Sequence, residues 1–389
     1  MRERYQKKMF ITNDIALKNN QRILFFDYLR LFLVFSVIFV HSTVAYAIYS
    51  ENKWHVFDPV RSIFFDIGSL FGDYFIMAVF FFIAGFFALP SIQKRGILNF
   101  IKKKFFRLIV PFILGMIFVI PFAMYIRYLY FYDQSIGFFE YWFFCYWKDL
   151  NQFMHLWFLP ALFIFFLFFA FFYSLKKDFF EKPNKEFSIT SGKSLFVFVV
   201  LTGLIFYTVR LFLPYDHWVM LGDFYFVQPS RYIIYFSFFL LGILFYRNRV
   251  LSRKEKFLKP FPWISLTFLL ILVILSLYYF FVNYQYAAFF VFIDSMLRVS
   301  FCLSIVMTLL FLFSKYMNFR SVLLQRLSSN VYAVYIIHYP FVVSLQYYLI
   351  NIHLSVFIKF FIVFSVSTIV SFLISEFFLR RLPLLKKLL

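Results

Sequence analysis

The chain has 389 residues, of which 63% are hydrophobic and only 15% are charged. A soluble domain of this length cannot cover so much apolar surface with so few polar side chains, so the composition excludes that class. The formal net charge of +21 would suit a nucleic-acid binder. The basic residues, however, lie in short runs between long apolar stretches, as in the loops of a membrane protein. The composition therefore predicts an integral membrane protein with no nucleic-acid partner.

The two ends of the chain are predicted to be short tails. Residues 1–22 are polar and basic and lack an apolar stretch followed by small cleavage-site residues, so they are interpreted as a cytoplasmic tail and not as a signal peptide. A membrane domain is predicted for 23–379, and residues 380–389 form a second cytoplasmic tail. The six histidines lack the close paired spacing that zinc sites use, so no metal site is expected.

Ten apolar stretches are long enough to cross a bilayer, since roughly 20 residues rising about 1.5 Å each cover about 30 Å. They are 24–49, 67–89, 105–126, 156–175, 194–213, 226–246, 261–282, 288–314, 331–350 and 354–379. The aromatic stretch 128–150 is interrupted by acidic residues and is predicted to be interfacial or re-entrant. The predicted fold is an all-α polytopic bundle of about ten transmembrane helices, with a cavity enclosed by the first, second, third, ninth and tenth spans.

The distribution of lysine and arginine predicts the orientation of this bundle. Six alternate segments, which include both tails, hold 30 of the 39 basic residues, whereas the five segments between them hold 4. Cytoplasmic loops of membrane proteins carry this excess of positive charge. Both termini are therefore predicted to be cytoplasmic, in a multi-pass protein of the cell inner membrane that contacts lipid along its spans.

The first span contains ionisable residues, which cost several kcal/mol inside a bilayer and are usually functional. Arg30 and His41 are eleven residues apart, which is close to three helical turns, so both lie on one face, with Asp27 beside Arg30. The helical rise places His41 roughly 16 Å deeper than Arg30. Guanidinium suits phosphate and imidazole exchanges a proton near neutral pH, so Arg30 is a candidate anion ligand and His41 a candidate general base. The alternative is an interfacial Asp27–Arg30 pair and a packed polar His41.

This arrangement of Asp-x-x-Arg followed by Arg-x10-His resembles the membrane-bound acyltransferase 3 family, which includes glucan succinyltransferases and polysaccharide O-acetyltransferases. Further segments resemble that family in the same order along the chain: Phe80–Phe86, Lys102–Pro111, His155–Leu159, Ser329–His338, and Glu376 with Arg380 and Arg381. The resemblance implies a membrane O-acyltransferase with acyl-CoA, either acetyl-CoA or succinyl-CoA, as its donor. It also implies transfer to a hydroxyl of an extracytoplasmic glycan or glycolipid.

The resemblance also suggests roles for individual residues. His41 would act with Asp27 in catalysis, either as a general base or by carrying the acyl group itself. Arg107 and Lys104 would hold the donor phosphates beside Arg30, although a basic run at this place also serves as a membrane anchor. Three more residues are candidates on the ninth and tenth spans: His338 and Tyr335, which would assist His41 or fill a structural role, and Glu376, which would orient an arginine.

A second polar group is predicted on the outer side, where the acceptor would bind. Its candidate residues are His155, Trp157, Arg210 and Arg231, near Asp216, His217 and Asp223 in the third outer loop. Flat aromatic faces and charged hydrogen-bonding groups suit a ligand rich in hydroxyls. An aromatic belt at the membrane interface would explain the tryptophans equally well, and Asp294 and Arg298 are expected to neutralise each other.

Two other classes of protein fit part of this pattern. Buried ionisable residues also form the proton relays of membrane transporters, and ten helices suit a carrier. Against this, the chain has no internal inverted repeat and no matching pair of broken spans. The third class is a scaffold without enzymatic activity, for which His41 would be dispensable.

Overall fold

A computed structural model describes residues 23–48, 54–132, 136–149, 153–181, 189, 191–215, 217–221, 225–252, 260–281 and 288–388. The helices are α1 Leu24–Val44, α2 Ile63–Arg95, α3 Ile97–Phe118, α4 Ile120–Tyr132, α5 Phe138–Glu140, α6 Phe158–Leu175, α7 Lys177–Glu181, α8 Gly192–Phe212, α9 Pro229–Arg247, α10 Pro260–Phe281, α11 Ala288–Tyr316, α12 Val322–Leu349, α13 Val356–Phe377 and α14 Pro383–Leu388. Between α8 and α9, β1 (Val219–Leu221) and β2 (Tyr225–Val227) pair in a short antiparallel hairpin.

Every one of the ten predicted spans falls on a helix. Within the described residues, eight helices are long and apolar enough to cross a membrane by length and composition. The remaining two are α10, whose apolar part is the shorter stretch Pro262–Ser276, and α12, which carries buried Asn330, His338 and Gln346. The prediction of an all-α polytopic membrane protein is confirmed, and the chain is a multi-pass membrane protein. The cytoplasmic placement of both termini stays a prediction.

The ends of several helices are set by local sequence. The Ser62, Ser191 and Ser321 side chains accept hydrogen bonds from backbone N–H groups at the starts of α2, α8 and α12. Such capping satisfies donors that lack a partner in the first turn of a helix. Gly96 separates α2 from α3 with a φ of 74°, a conformation that glycine adopts without steric cost.

The region predicted to be interfacial, 128–150, is only partly helical. Its first residues belong to α4, which extends the third span after a break at Val119. After 133–135, which lie outside the described residues, come α5, a π-helical turn at Tyr141–Cys145 and a 3-10 turn at Tyr146–Asp149. These short turns do not form a further span.

Helices α2 and α9 approach each other so closely that their backbones touch at two glycines. A Cβ atom on Gly85 would lie 1.9 Å from the carbonyl oxygen of Phe239, and one on Gly242 would lie 2.1 Å from that of Phe82. Small residues permit this close packing of helices in membranes, where dispersion contacts replace the hydrophobic effect between helices. Gly85, the glycine of the Phe80–Phe86 segment, therefore permits the close packing of α2 against α9.

Helix α1 occupies a central position in the bundle, where it packs against α2, α11, α12 and α13. Most of its side chains are buried, and the stripe from Arg30 through Val34 and Val37 to His41 follows helical spacing. The two ends of the bundle are named after this helix: the Arg30 end and the His41 end. Because α1 is surrounded, Arg30 and His41 both lie among other helices.

Candidate active site

Three histidines from different parts of the chain meet at the His41 end of the bundle. His41 lies in the last turn of α1, His155 in the 3-10 turn Met154–Trp157 that precedes α6, and His338 in the middle of α12. The ring centroids are 5.2 Å apart for His41 and His338, 5.0 Å for His155 and His338, and 6.3 Å for His41 and His155. His155 and His338 are buried, whereas His41 is only half-buried.

The hydrogen bonds of His338 determine where the protons of this cluster lie. Nδ1 of His338 lies 2.7 Å from the carbonyl oxygen of Tyr335, and a carbonyl only accepts, so Nδ1 carries the hydrogen. In the neutral ring Nε2 is then an acceptor, and it lies 2.9 Å from Nδ1 of His41. Nδ1 of His41 must therefore donate, which leaves Nε2 of His41 without a hydrogen. A bare imidazole nitrogen on a half-buried ring can accept a proton from a bound substrate.

Two tyrosines of α12 support the cluster. The Tyr335 hydroxyl donates a hydrogen bond to the carbonyl oxygen of His155, and this fixes the 3-10 turn against α12. The Tyr339 ring stacks on the His155 ring with centroids 4.6 Å apart, and its edge approaches His41 with centroids 5.1 Å apart. Tyrosine rings of this kind offer both a packing surface and a polar group.

The segment 54–62, which connects α1 to α2, closes the His41 end. The Trp54 ring lies 5.5 Å from the His41 ring, and its Nε1 donates to Oε1 of Gln346 at 2.8 Å. The same Gln346 donates to the His41 carbonyl oxygen at 3.0 Å. Arg127 of α4 donates to the Trp54 carbonyl oxygen at 3.0 Å. These bonds position the Trp54 ring beside the His41 ring.

His55 is a fourth histidine in this region, and it lies outside the helices. Its Nε2 lies 2.8 Å from the Tyr339 hydroxyl. Burial, followed by the positive charge of Arg127, lowers the pKa of His55 to about 3. Since the charged form is disfavoured by both effects, His55 is neutral at physiological pH and acts as a hydrogen-bonding partner of Tyr339.

Cationic side chains gather at the Arg30 end. Arg30 forms an ion pair with Asp27 at 3.3 Å and lies over the Phe87 ring, with Cζ 4.9 Å from the centroid. Lys104 of α3 directs its ammonium group at the Phe166 ring, with Nζ 3.9 Å from the centroid. The charges of Arg107 and Arg30 both act on Lys104. Cations that repel one another at close range form a site suited to a polyanion.

The remaining candidate at this end, Glu376 of α13, pairs with residues of α12 and of the 3-10 turn Leu379–Arg381. It accepts from Nε of Arg326 at 2.6 Å, from Nδ2 of Asn330 at 2.7 Å and from Nη1 of Arg380 at 3.2 Å. These bonds connect α12 to the end of α13. Glu376 therefore orients arginines, as the sequence predicts, and the arginines are Arg326 and Arg380.

A second charged network joins α2, α8, α9 and α11. Asp294 accepts from Nε of Arg298 at 2.9 Å and from Arg210, and so the predicted neutralisation of Asp294 by Arg298 is present. Asp73 of α2 pairs with Arg231. The Tyr215 ring lies between two of the arginines and donates through its hydroxyl to Asp73 at 2.7 Å. Each carboxylate has arginine partners, which offsets the cost of placing these charges in the bundle.

An aromatic pair links this network to the histidine cluster. The Trp157 ring, two residues after His155, stacks on the Tyr235 ring with centroids 5.6 Å apart and an interplanar angle of 26°. The positive charge of Arg231 in the charged network acts in turn on Tyr235. Of the predicted acceptor residues, His155 thus lies in the histidine cluster, Trp157 and Arg231 lie along this link, and Arg210 lies beyond it. Asp216 and Asp223 lie outside the described residues.

A family model described as an acyltransferase domain matches residues 23–376, nearly the whole chain. The chain belongs to the acyltransferase 3 family. No curated protein matches the chain, and neither does any solved structure. Membership makes the protein an acyltransferase, which decides the choice of class in favour of the enzyme over the transporter and the scaffold. The match begins one residue before α1 and ends at Glu376, so it includes both ends of the candidate site.

The candidate site differs from the sequence expectation in three places. The catalytic part predicted for Asp27 does not fit, because Asp27 lies beside Arg30 and is 14 residues, or about 21 Å of helix, from His41. The fourth span was not expected at the cavity, but its leading turn supplies His155. The sequence slightly favoured a structural role for His338, but this residue also forms a hydrogen bond with His41.

Other residues of the candidate site were not predicted from the sequence. Trp54 and Gln346 contact His41, His55 hydrogen-bonds Tyr339, and Asp73 is the second carboxylate of the charged network. One signal was available for Asp73, since a single aspartate within an apolar span requires a partner. For Trp54 and His55 no signal was available, because a connecting segment without periodicity does not reveal that it folds back onto the helices.

The segment 54–62 is anchored by a buried ion pair. Nζ of Lys359 on α13 lies 2.6 Å from Oδ2 of Asp58, and the two side chains are only 4% and 3% exposed. Lys359 also donates to the Ile350 carbonyl oxygen at 3.1 Å. Removing one partner of a buried pair leaves an uncompensated charge, which is more damaging than removing both.

Replacing Lys359 by methionine is therefore expected to destabilise the acyltransferase by about 3–5 kcal/mol, because Asp58 would remain buried and unpaired. Thermal unfolding of the detergent-purified protein measures this loss. The double variant K359M/D58N is expected to recover much of the stability, since it removes both charges. Unfolding of K359M at the wild-type temperature would show that the pair does not anchor the segment.

Proposed function

We propose that this acyltransferase moves an acyl group from cytoplasmic acyl-CoA to a hydroxyl of an extracytoplasmic glycan or glycolipid. The donor is acetyl-CoA or succinyl-CoA, its phosphates are bound at the Arg30 end, and its thioester reaches the His41 end. The membrane is the cell inner membrane. The two ends of the site are about 16 Å apart along α1, a separation that suits the pantetheine arm of the donor.

One observation carries this proposal. Nδ1 of His41 donates a hydrogen bond to Nε2 of His338 at 2.9 Å, so Nε2 of His41 carries no hydrogen. The half-buried His41 ring lies beside the rings of Trp54 and Tyr339. If His41 were only a polar residue packed in the bundle, it would not need a partner such as His338, whose own ring is fixed by a hydrogen bond to a backbone carbonyl. The arrangement favours a general base whose tautomer is set in advance.

The reaction then proceeds with residues that are already in place. Nε2 of His41 takes the proton of the acceptor hydroxyl, and the oxygen attacks the carbonyl carbon of the thioester. The carbon–sulfur bond breaks, and the proton passes from His41 to the sulfur of the departing CoA. While His41 is charged, its Nδ1–H donates to neutral His338, and this stabilises the imidazolium. In the two-step variant Nε2 attacks the thioester carbonyl carbon, the carbon–sulfur bond breaks and CoA leaves as its thiolate. The acceptor oxygen then attacks the acyl-imidazolium, Nε2 is released bare, and the acceptor's proton passes to the thiolate.

The Arg30 end supplies the donor site in this proposal. Asp27 forms an ion pair with Arg30 at 3.3 Å, which positions the Arg30 guanidinium. Lys104 and Arg107 add positive charge from α3. Arg107 is exposed, and its backbone carbonyl accepts a hydrogen bond from Tyr332 of α12. A guanidinium that is already oriented loses less entropy when it binds phosphate.

Replacing Arg30 by alanine is expected to weaken binding of CoA by about tenfold to a hundredfold, the effect of losing a hydrogen bond to a charged group. Retention on immobilised CoA measures this with detergent-purified protein. R320A removes the same charge at an exposed position between α11 and α12 and serves as the control. Equal retention of R30A, R320A and wild type would contradict the proposed donor site.

A further inference from the structure

His155 has a ring nitrogen without a partner next to the proposed base. Its Nε2 lies 2.9 Å from the carbonyl oxygen of Ile336, which only accepts, so Nε2 carries the hydrogen. Nδ1 is then a bare acceptor. It is buried and takes part in no hydrogen bond among the described residues. Because buried polar atoms are nearly always paired, an unpaired acceptor in this place indicates a missing partner.

The surrounding polar groups are already engaged with one another. The Tyr339 hydroxyl lies between Nε2 of His55 at 2.8 Å and the Met154 sulfur at 3.7 Å. Nε1 of Trp54 donates to Gln346, and the Tyr335 hydroxyl donates to the His155 backbone. Three ring nitrogens are left without a hydrogen-bond partner in this part of the described structure: Nε2 of His41, Nδ1 of His155 and Nδ1 of His55. Among these three histidines, His41 and His155 have rings that approach each other.

The two rings are close but not parallel. Their centroids are 6.3 Å apart, and their planes meet at 75°. A single acceptor hydroxyl has one hydrogen, and this hydrogen must point at Nε2 of His41 if His41 is to remove it. The same hydroxyl therefore cannot also donate a hydrogen bond to Nδ1 of His155. Two donors on the same molecule, a few ångströms apart, would satisfy both nitrogens.

We propose that Nδ1 of His155 accepts a hydrogen bond from a second hydroxyl of the acyl acceptor, next to the hydroxyl that His41 deprotonates. This inference rests on the proposed function. It narrows the acceptor to molecules that carry neighbouring hydroxyls, such as a sugar ring, and makes His155 a specificity-determining residue. A site that hydrogen-bonds a hydroxyl discriminates against molecules that lack it, because the buried acceptor is then left unpaired.

Two substitutions separate this role from a structural one. In His155→Gln the side-chain amide reaches the position of Nε2, so the bond to Ile336 is kept while the acceptor at Nδ1 is lost. In His155→Asn the amide oxygen lies near the position of Nδ1, so the acceptor is kept while the bond to Ile336 is lost. His353→Gln changes an exposed histidine after α12 and serves as the control.

The experiment uses the full-length protein in detergent, with acetyl-CoA and succinyl-CoA as donors, and follows release of the CoA thiol. The acceptors are methyl glucoside, its monodeoxy derivatives and a monohydric alcohol. One deoxy derivative is expected to lower kcat/KM of the wild type about threefold to tenfold, the effect of one neutral hydrogen bond. His155→Gln should lower kcat/KM for the parent glucoside by a similar factor, and the two losses should not add. His155→Asn should retain the wild-type preference.

Additive losses for every deoxy derivative would overturn the inference, as would a wild-type kcat/KM in His155→Gln. Equal rates with the monohydric alcohol and the glucoside would overturn it too, while leaving the proposed transfer to a hydroxyl intact. Failure of the wild type to release thiol with any acceptor would refute the proposed function together with the inference.

Discussion

Replacing His41 by alanine is expected to lower the rate of acyl transfer by about a hundredfold to ten-thousandfold, the usual contribution of a positioned general base. The reason is that Nε2 of His41 is the proposed acceptor of the proton from the acyl acceptor, and alanine offers no such group. Thiol release by the purified protein measures kcat. Mass spectrometry of surface glycans measures acylation in cells.

The H41A variant is also expected to bind CoA as well as the wild type does. The cations that hold the donor lie about 16 Å away along α1, so they are unaffected by the substitution. H353A, at an exposed position, provides a control for loss of a histidine. Unchanged acylation by H41A, at normal abundance in the membrane, would end the catalytic proposal.

Replacing His338 by leucine is expected to reduce kcat by about 5- to 150-fold. The loss has two causes: Nδ1 of His41 would keep a buried hydrogen without an acceptor, at about 1–3 kcal/mol, and the tautomer of His41 would no longer be fixed. His338→Gln should lose less, because its amide oxygen reaches the position of Nε2 and can accept from His41. Comparison of kcat for H338L and H338Q in the thiol-release assay measures the difference.

The pH profile distinguishes the two roles of His338. If His338 only packs in the bundle, both variants should keep the wild-type dependence of kcat on pH. If it holds the tautomer and stabilises the imidazolium, H338L should reach its full activity at a lower pH than the wild type, because His41 is harder to protonate when His338 is absent. A wild-type kcat and pH profile in H338L would contradict the proposed role.

Helical periodicity made the first span predictable from sequence. Asp27, Arg30 and His41 are separated by three and eleven residues, so a helix places them on one stripe, and the structure has the Asp27–Arg30 pair where that spacing predicts it. The pair Asp294 and Arg298 is predictable for the same reason, since residues four apart are neighbours on a helix.

Contacts between distant parts of the chain could not be predicted in this way. His41 and His338 are 297 positions apart, and His55 and Tyr339 are 284 apart. Their meeting depends on how α1 and α12 pack and on how segment 54–62 folds back. Asp73 shows the same limit, because its partner Arg231 lies on another helix, 158 positions later. Periodicity describes one helix at a time, whereas the site is made between helices.

The protonation state of His41 is the most direct test of the proposed mechanism. In protein labelled with nitrogen-15 at histidine, the signals of His41 can be assigned by their absence from the H41Q variant. At a pH where the enzyme is active, we expect the His41 ring to be neutral, with its hydrogen on Nδ1 and none on Nε2. A hydrogen on Nε2, with Nδ1 bare, would contradict this mechanism, because His41 could then take no proton from an acceptor hydroxyl through that atom.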